Sequence, residues 1–250
     1  GAAATTSAVP FDFYNRQPLV QTFVHGTSGE KITVTVNHFK SKGCDGATGT
    51  NADQGDGQGC WNTKRVEAAN ALATWLASDP TGSGAQRNLI IGDLNAYAKE
   101  EPIQALQQNG YTNLLSHFHG DAAYSYVFNG EKGYLDHALA SADLLPSVVD
   151  VVEWHINADE PRVLDYNLEF KSAQQQVDWY AADAYRSSDH DPVLVVLDLQ
   201  QPQAPQVLGD FNQDGARNLK DMLLLIGQLF KPVTDTNRAF DRSEERHVGK

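Results

Sequence analysis

The chain has 250 residues, 41% of them hydrophobic and 20% charged, and a formal net charge of −13. That is enough apolar material for one large core, or one domain with a small appendage, and it excludes wholesale disorder; no apolar run approaches the length of a membrane-spanning helix. Residues 200–250 hold seven acidic and seven basic residues, so the acidic excess lies entirely in residues 1–199. This part cannot hold a polyanion by charge alone and would need divalent cations to do so, unless the acidity serves solubility only.

Residues 1–8 are small and polar, without a basic region or an apolar stretch, so they do not read as a signal peptide; with no initiator Met, the chain reads as a mature product or a fragment. Residues 19–24 (LVQTFV) and 31–38 (KITVTVNH) are expected to be strands joined by a short loop. Residues 62–77 have helical spacing, with Val66, Ala69, Ala73 and Leu76 on one face, Asn62 as the expected cap and Asp79-Pro80 as the stop. Residues 88–92 (NLIIG) form an apolar run of the kind found in a strand buried on both faces. A short helix is expected over 101–109, and strands over 134–141, 148–154 and 193–199. Strands and helices mix without strict βαβ alternation, which predicts a layered α/β sandwich.

Cys44 and Cys60 are the only cysteines and bracket a loop rich in Gly, Asp, Gln and Thr. Such a loop buries little apolar surface, and a disulfide across it would remove roughly 3 kcal/mol of unfolded-state freedom. The alternative is two free thiols; the disulfide is the better reading and implies an oxidising compartment.

Four segments share one pattern, an apolar strand that switches to His, Asp or Asn at its end or in the following loop. They are VNHFKSKG with His38, IIGDLNAY with Asp93 and Asn95, GYLDHALAS with Asp136, and SSDHDPV with Asp189, His190 and Asp191. An Asp directly after an apolar run is costly unless it binds something. In an extended backbone, the i, i+2 spacing of Asp93 and Asn95 would put both on one side. Each segment taken singly is commonplace; four in one chain are not.

Together these segments resemble the endonuclease/exonuclease/phosphatase superfamily over about residues 10–199, and within it the large bacterial extracellular nucleases, where NHFKSKG, a Cys-bounded Gly/Asp loop, GDLNAY, LDHALAS, INADEP with LDYN, and SSDHDPV occur in this order. The resemblance implies a four-layered α/β/β/α sandwich, here without its N-terminal half. It implies Mg²⁺- or Mn²⁺-dependent hydrolysis of phosphodiester bonds in DNA, with RNA as a second candidate, by a secreted enzyme with no membrane partner. Carried over residue by residue, His190 is the imidazole at the scissile phosphate and Asp136 orients it. Asp189 binds the metal, and Asp93 orients the water or helps hold the ion. Asn95 donates to a phosphate oxygen, and His38 contacts the phosphate or acts as a second acid/base. Arg16, in an Arg-x-Pro context, supports the phosphate site, and Arg65 is a weaker candidate for it. The family's earlier metal-binding Asn and Glu motifs do not precede Val9, and Glu30 and Glu67 stand in the wrong contexts to replace that Glu. The expectation is therefore a partial site that turns over poorly or not at all by itself. Within the superfamily, the alternative is a phosphatase or sphingomyelinase-like phosphodiesterase.

Residues 200–207 read as a Pro/Gln linker, and 208–241 as a partial dockerin-like module. Asp210, Asn212, Asp214, Gly215, Asn218 and Asp221 fall at positions 1, 3, 5, 6, 9 and 12 of an EF-hand-like Ca²⁺ loop, with Arg217 as a departure at position 8. An Asn/Asp-rich turn is the plainer alternative. Such a module implies a cohesin-like partner, and it also raises a non-catalytic reading, a Ca²⁺-dependent surface- or scaffold-binding protein. Residues 242–250 (RSEERHVGK) have neither ligands nor periodicity and read as an artefactual tail.

Overall fold

A computed structural model describes residues 2–169, 171–199 and 220. The expected Ca²⁺ ligands Asp210, Asn212, Asp214, Asn218 and Asp221 lie outside the described residues. Contacts divide the chain into residues 1–200 and 201–250, and all that follows concerns the first unit.

The elements in chain order are β1 (Ala3–Thr5), β2 (Leu19–Val24), β3 (Lys31–His38), α1 (Asn62–Ala77), β4 (Asn88–Asp93), α2 (Glu101–Gln108), β5 (Tyr111–Asn113) and α3 (Leu114–His119). They continue with β6 (Tyr126–Phe128), β7 (Glu131–Gly133), β8 (Asp136–Ser141), β9 (Val148–Glu153), α4 (Ala173–Asp178) and β10 (Val193–Leu197). Six strands make one sheet in the order β1-β2-β3-β4-β8-β5, while β9 pairs with β10 and β6 with β7. Only β3 and β4 are parallel, as their connection through α1 requires. The other neighbours are antiparallel.

The sheet is covered on both faces, which is why residues 88–92 lack alternation. In β4, Ile90 packs with Val20, Leu139, α1 and α2, while Leu89 and Ile91 pack on the opposite side with Leu114 and Leu115 of α3 and with Val151 and Val193 of the β9–β10 pair. The described residues thus form a helical layer, the six-stranded sheet, and a layer of β9, β10 and α3. This is the expected mixed α/β fold with a central sheet and flanking helices.

Two local expectations are corrected. The cap of α1 is Trp61, in a left-handed conformation at φ 63°, not Asn62, whose side chain donates to Glu101 Oε2 at 2.6 Å. The inward face of α1 is Arg65, Ala68, Ala69, Leu72, Ala73 and Leu76, so Val66 lies off it. The reason is Arg65. Its side chain is fully buried and donates to the carbonyls of Lys40, Gln58 and Cys60 at 3.2, 2.8 and 2.8 Å. That rotates the helix relative to a purely apolar stripe. Arg65 knits together both ends of the Cys44–Cys60 loop, which a disulfide closes, and it is spent there instead of on a phosphate.

Candidate active site

Register builds the first part of the site. His38 is the Cα partner of Asp93, and Asp93 is the partner of Asp136, so the ends of β3, β4 and β8 set three polar side chains in one row. The row depends on close approach of β3 and β4 at Gly92. There φ is 122°, and a Cβ would lie 2.0 Å from the Asn37 carbonyl oxygen, so only Gly fits.

His190 arrives from a loop. The β6–β7 hairpin turns at Asn129-Gly130, both with positive φ, and its Tyr126 forms a lone antiparallel bridge with His190. His190 Nδ1 donates to Asp136 Oδ2 at 2.6 Å, and the Ser125 hydroxyl donates to the same oxygen at 2.8 Å. Asp136 thereby fixes the tautomer and turns Nε2 of His190 outward. The Tyr126 ring packs 4.6 Å from the imidazole.

The loop is held by Asn157, which is 2% exposed. Its amide donates to the His190 carbonyl at 2.7 Å, its side-chain oxygen accepts from Ser187 N–H at 3.0 Å, and its carbonyl accepts from Arg186 at 2.7 Å. Buried Asp191 accepts the backbone N–H groups of Asn157 and Ala158 at 2.8 and 2.9 Å, and pairs with His155 at 2.8 Å. These contacts explain why INADEP and SSDHDP belong together. Ser125, Tyr126, Asn157 and Arg186 were not singled out from the sequence; the Asn-Gly dipeptide was the one local signal for the hairpin that carries Tyr126.

At the other end of the row, Arg16 donates to His38 Nδ1 at 3.0 Å. That nitrogen must then accept, so the proton of neutral His38 sits on Nε2, 3.6 Å from Asp93 Oδ2. Burial lowers the His38 pKa, and the charges of Arg16 and His190 lower it further, so the ring is held neutral. Burial works against the charged form of His190 too, but the hydrogen bond and charge of Asp136, with Asp93 and Asp189, outweigh it and raise that pKa. Asp93 is pushed up to about 6 by burial and by the charges of Asp136 and Asp189, against the opposing backbone N–H of Asn95.

Asn95 departs from expectation. Its φ is 48°, so the backbone turns instead of extending. Asp93 Oδ1 accepts the Asn95 N–H at 2.7 Å, and the side-chain amide donates to the Phe39 carbonyl at 3.0 Å and towards Asp93 Oδ2 at 3.3 Å. Here Asn95 positions Asp93. Asp189 is exposed, and near enough to Asp93 for its charge to be felt there. Glu30 and Glu67 are engaged elsewhere, with Arg87 at 2.6 Å and Lys64 at 2.8 Å.

Among the described residues no group of three or more His, Cys, Asp or Glu is arranged to enclose a metal ion. The residues fit a hydrated Mg²⁺-like ion all the same, since such an ion keeps several waters and takes one or two carboxylates. Asp93 and Asp189 are the carboxylates that would hold it; burial first, and then the charges of Asp136 and Asp189, raise the Asp93 pKa. No described helix is long and apolar enough to cross a membrane.

No protein-family model matches the chain, and no curated protein does. Among solved structures it is similar to the human Nocturnin catalytic domain, at 16% identity and TM-score 0.42, over 59% of this chain and 48% of that one. An endonuclease/exonuclease/phosphatase family protein from Bacteroides thetaiotaomicron gives 12% identity and TM-score 0.40, over 55% and 45%. The 3'-5' exonuclease NExo from Neisseria meningitidis gives 16% and 0.48, over 78% and 70%. The chain thus spans about half the length of the first two. Fold and site define a mixed α/β protein with a titratable centre at aligned strand ends, and its chemistry rests on the geometry above.

Proposed function

We propose that this centre hydrolyses phosphodiesters, and that the protein is a secreted, Mg²⁺- or Mn²⁺-dependent endonuclease acting on DNA, with RNA as a second substrate. The observation that carries the reading is the Ser125–Asp136–His190 relay, facing a second His–Asp pair across one strand end. Asp136 stabilises a protonated His190, so Nε2 can take a proton from an attacking water or give one to a departing oxygen. Arg16 contributes a fixed positive charge, and His38 a neutral Nε2–H donor, for a phosphoryl oxygen. A bound divalent ion at Asp93 and Asp189 would polarise that oxygen and offset the acidity of the chain. The Cys44–Cys60 disulfide supports secretion.

The test is hydrolysis of supercoiled DNA, sphingomyelin and a simple phosphomonoester by the intact gene product with Mg²⁺. DNA cleavage with little turnover of the other two is expected. Preferential turnover of sphingomyelin or the monoester would move the protein to the alternative substrate class. The cohesin-like partner and the Ca²⁺ module are separate proposals, tested by Ca²⁺ titration of the intact gene product.

A further inference from the structure

Beside His190 lies a cavity of about 530 Å³, of whose lining the steps above use Asp189 alone. One wall is aromatic. Tyr126 and Phe128 stack on each other, with ring centroids 6.3 Å apart and planes 17° from parallel, and Phe128 is 56% exposed. Tyr126 also packs on His190, so this wall continues directly from the proposed reacting centre.

The other wall carries Arg162 and Arg186. Arg186 is only 6% exposed, yet no carboxylate lies within 4.0 Å of its guanidinium among the described residues. One amino group donates to the Asn157 carbonyl, and Nε is buried with no partner among the described residues. Arg65 is also buried without a counter-ion among them, but it donates to three carbonyls, whereas Arg186 donates to one and keeps donors that an anion in the cavity would satisfy. Two acids of the lining are already committed, Asp159 to Lys132 at 3.1 Å and Asp165 to Lys171 at 3.3 Å. Glu160 and Asp189 complete its acidic side, and Asp189 is the carboxylate assigned above to the divalent ion.

We propose that this cavity is a nucleotide subsite, in which a base next to the cleaved bond stacks on Tyr126 and Phe128 and the adjoining phosphate lies on Arg162 and Arg186. Every base offers a flat face to the aromatic wall, so the subsite selects nucleotide over other phosphoesters without reading sequence. The guanidinium pair recognises phosphate by paired N–H donors. The proposal deepens the phosphodiesterase reading and rests on it, because it assigns the substrate class to a wall shared with His190.

Binding and turnover separate the two ideas. Fluorescein-labelled tetrathymidylate with phosphorothioate linkages, which resist cleavage, is titrated onto the 250-residue chain with Mg²⁺ present, so that affinity is read without cleavage and with the divalent ion the acidic chain needs. Phe128→Ala and Arg162→Ala, both outside the reacting centre, are each expected to weaken binding about tenfold or more. Arg162→Ala should also lower the slope of log affinity against log salt by about one. Bis(p-nitrophenyl) phosphate, whose rings can stack on the aromatic wall but which has no second phosphate, is assayed in parallel on the intact gene product, and its turnover should be unchanged in Arg162→Ala. The proposal is overturned if wild type does not bind the oligonucleotide, if both variants bind within twofold of wild type, or if Arg162→Ala loses bis(p-nitrophenyl) phosphate turnover and oligonucleotide binding together, which is the mark of a structural role. A wild-type protein that binds tetrathymidylate in this cavity but never hydrolyses the ester upholds the subsite and defeats the catalytic reading.

Discussion

His137 makes the fold acid-sensitive, and the size of the effect follows from its surroundings. The side chain is 1% exposed; Nε2–H donates to the Ala96 carbonyl at 2.7 Å, and Nδ1 is buried with no partner. Protonation would bury a charge and an unsatisfied N–H, and burial accordingly pushes the pKa from 6.5 down to about 4. The unfolded chain therefore binds a proton between those two values that the native state refuses. Stability falls as pH drops through that window, by up to about 1.4 kcal/mol per pH unit, and this contribution is complete above it. Between pH 7 and pH 5 the loss is about 2 kcal/mol. His137→Gln keeps an N–H for the Ala96 carbonyl but does not titrate. Urea unfolding of wild type and variant at the two pH values gives the difference of differences, in which the other titrating groups cancel. A wild-type excess loss of about 2 kcal/mol is expected; equal losses in the two proteins would mean that His137 is not the buried neutral ring described here.

Two further outcomes follow from the packing. Gly92→Ala drives a Cβ to 2.0 Å from the Asn37 carbonyl oxygen, so it should cost upwards of about 3 kcal/mol, seen as a collapse of the urea midpoint or as insoluble expression; a midpoint within experimental scatter of wild type would show that β3 and β4 are not this close. Removing the disulfide with Cys44→Ser and Cys60→Ser frees a loop with a sequence separation of 16, and should cost about 3 kcal/mol by the same measurement, with a loss below about 1 kcal/mol showing that Arg65 alone holds the loop.

The parts of this protein that were legible in its sequence are those with a period. The strands at Leu19–Val24, Lys31–His38 and Asn88–Asp93 fall where the apolar pattern puts them, and so does α1 within its bounds. Polar residues at strand ends were legible for the same reason, since an Asp or His after an apolar run is conspicuous, and the structure brings His38, Asp93, Asp136 and His190 together. The register that aligns the first three was not legible, because it depends on Gly92 lying against the Asn37 backbone. Asn157 and Ser125 were missed because each sits in coil, where no spacing marks a residue that serves through hydrogen bonds to a distant loop. Arg65 was misjudged because a cation at a helical core position reads as a functional group, whereas here three backbone carbonyls take up its two amino groups. Asn95 was misjudged because an i, i+2 argument holds only for extended backbone, and this residue turns.

The central claim is that His190, held by Asp136, moves the proton in phosphodiester hydrolysis. Its most direct test is kcat/KM of the intact gene product on bis(p-nitrophenyl) phosphate with Mg²⁺, for wild type and His190→Ala, with circular dichroism to confirm folding. Loss of a general acid–base group predicts a fall of about 10²–10⁴-fold. A folded His190→Ala protein that retains activity within about threefold of wild type, well short of that range, would contradict the account.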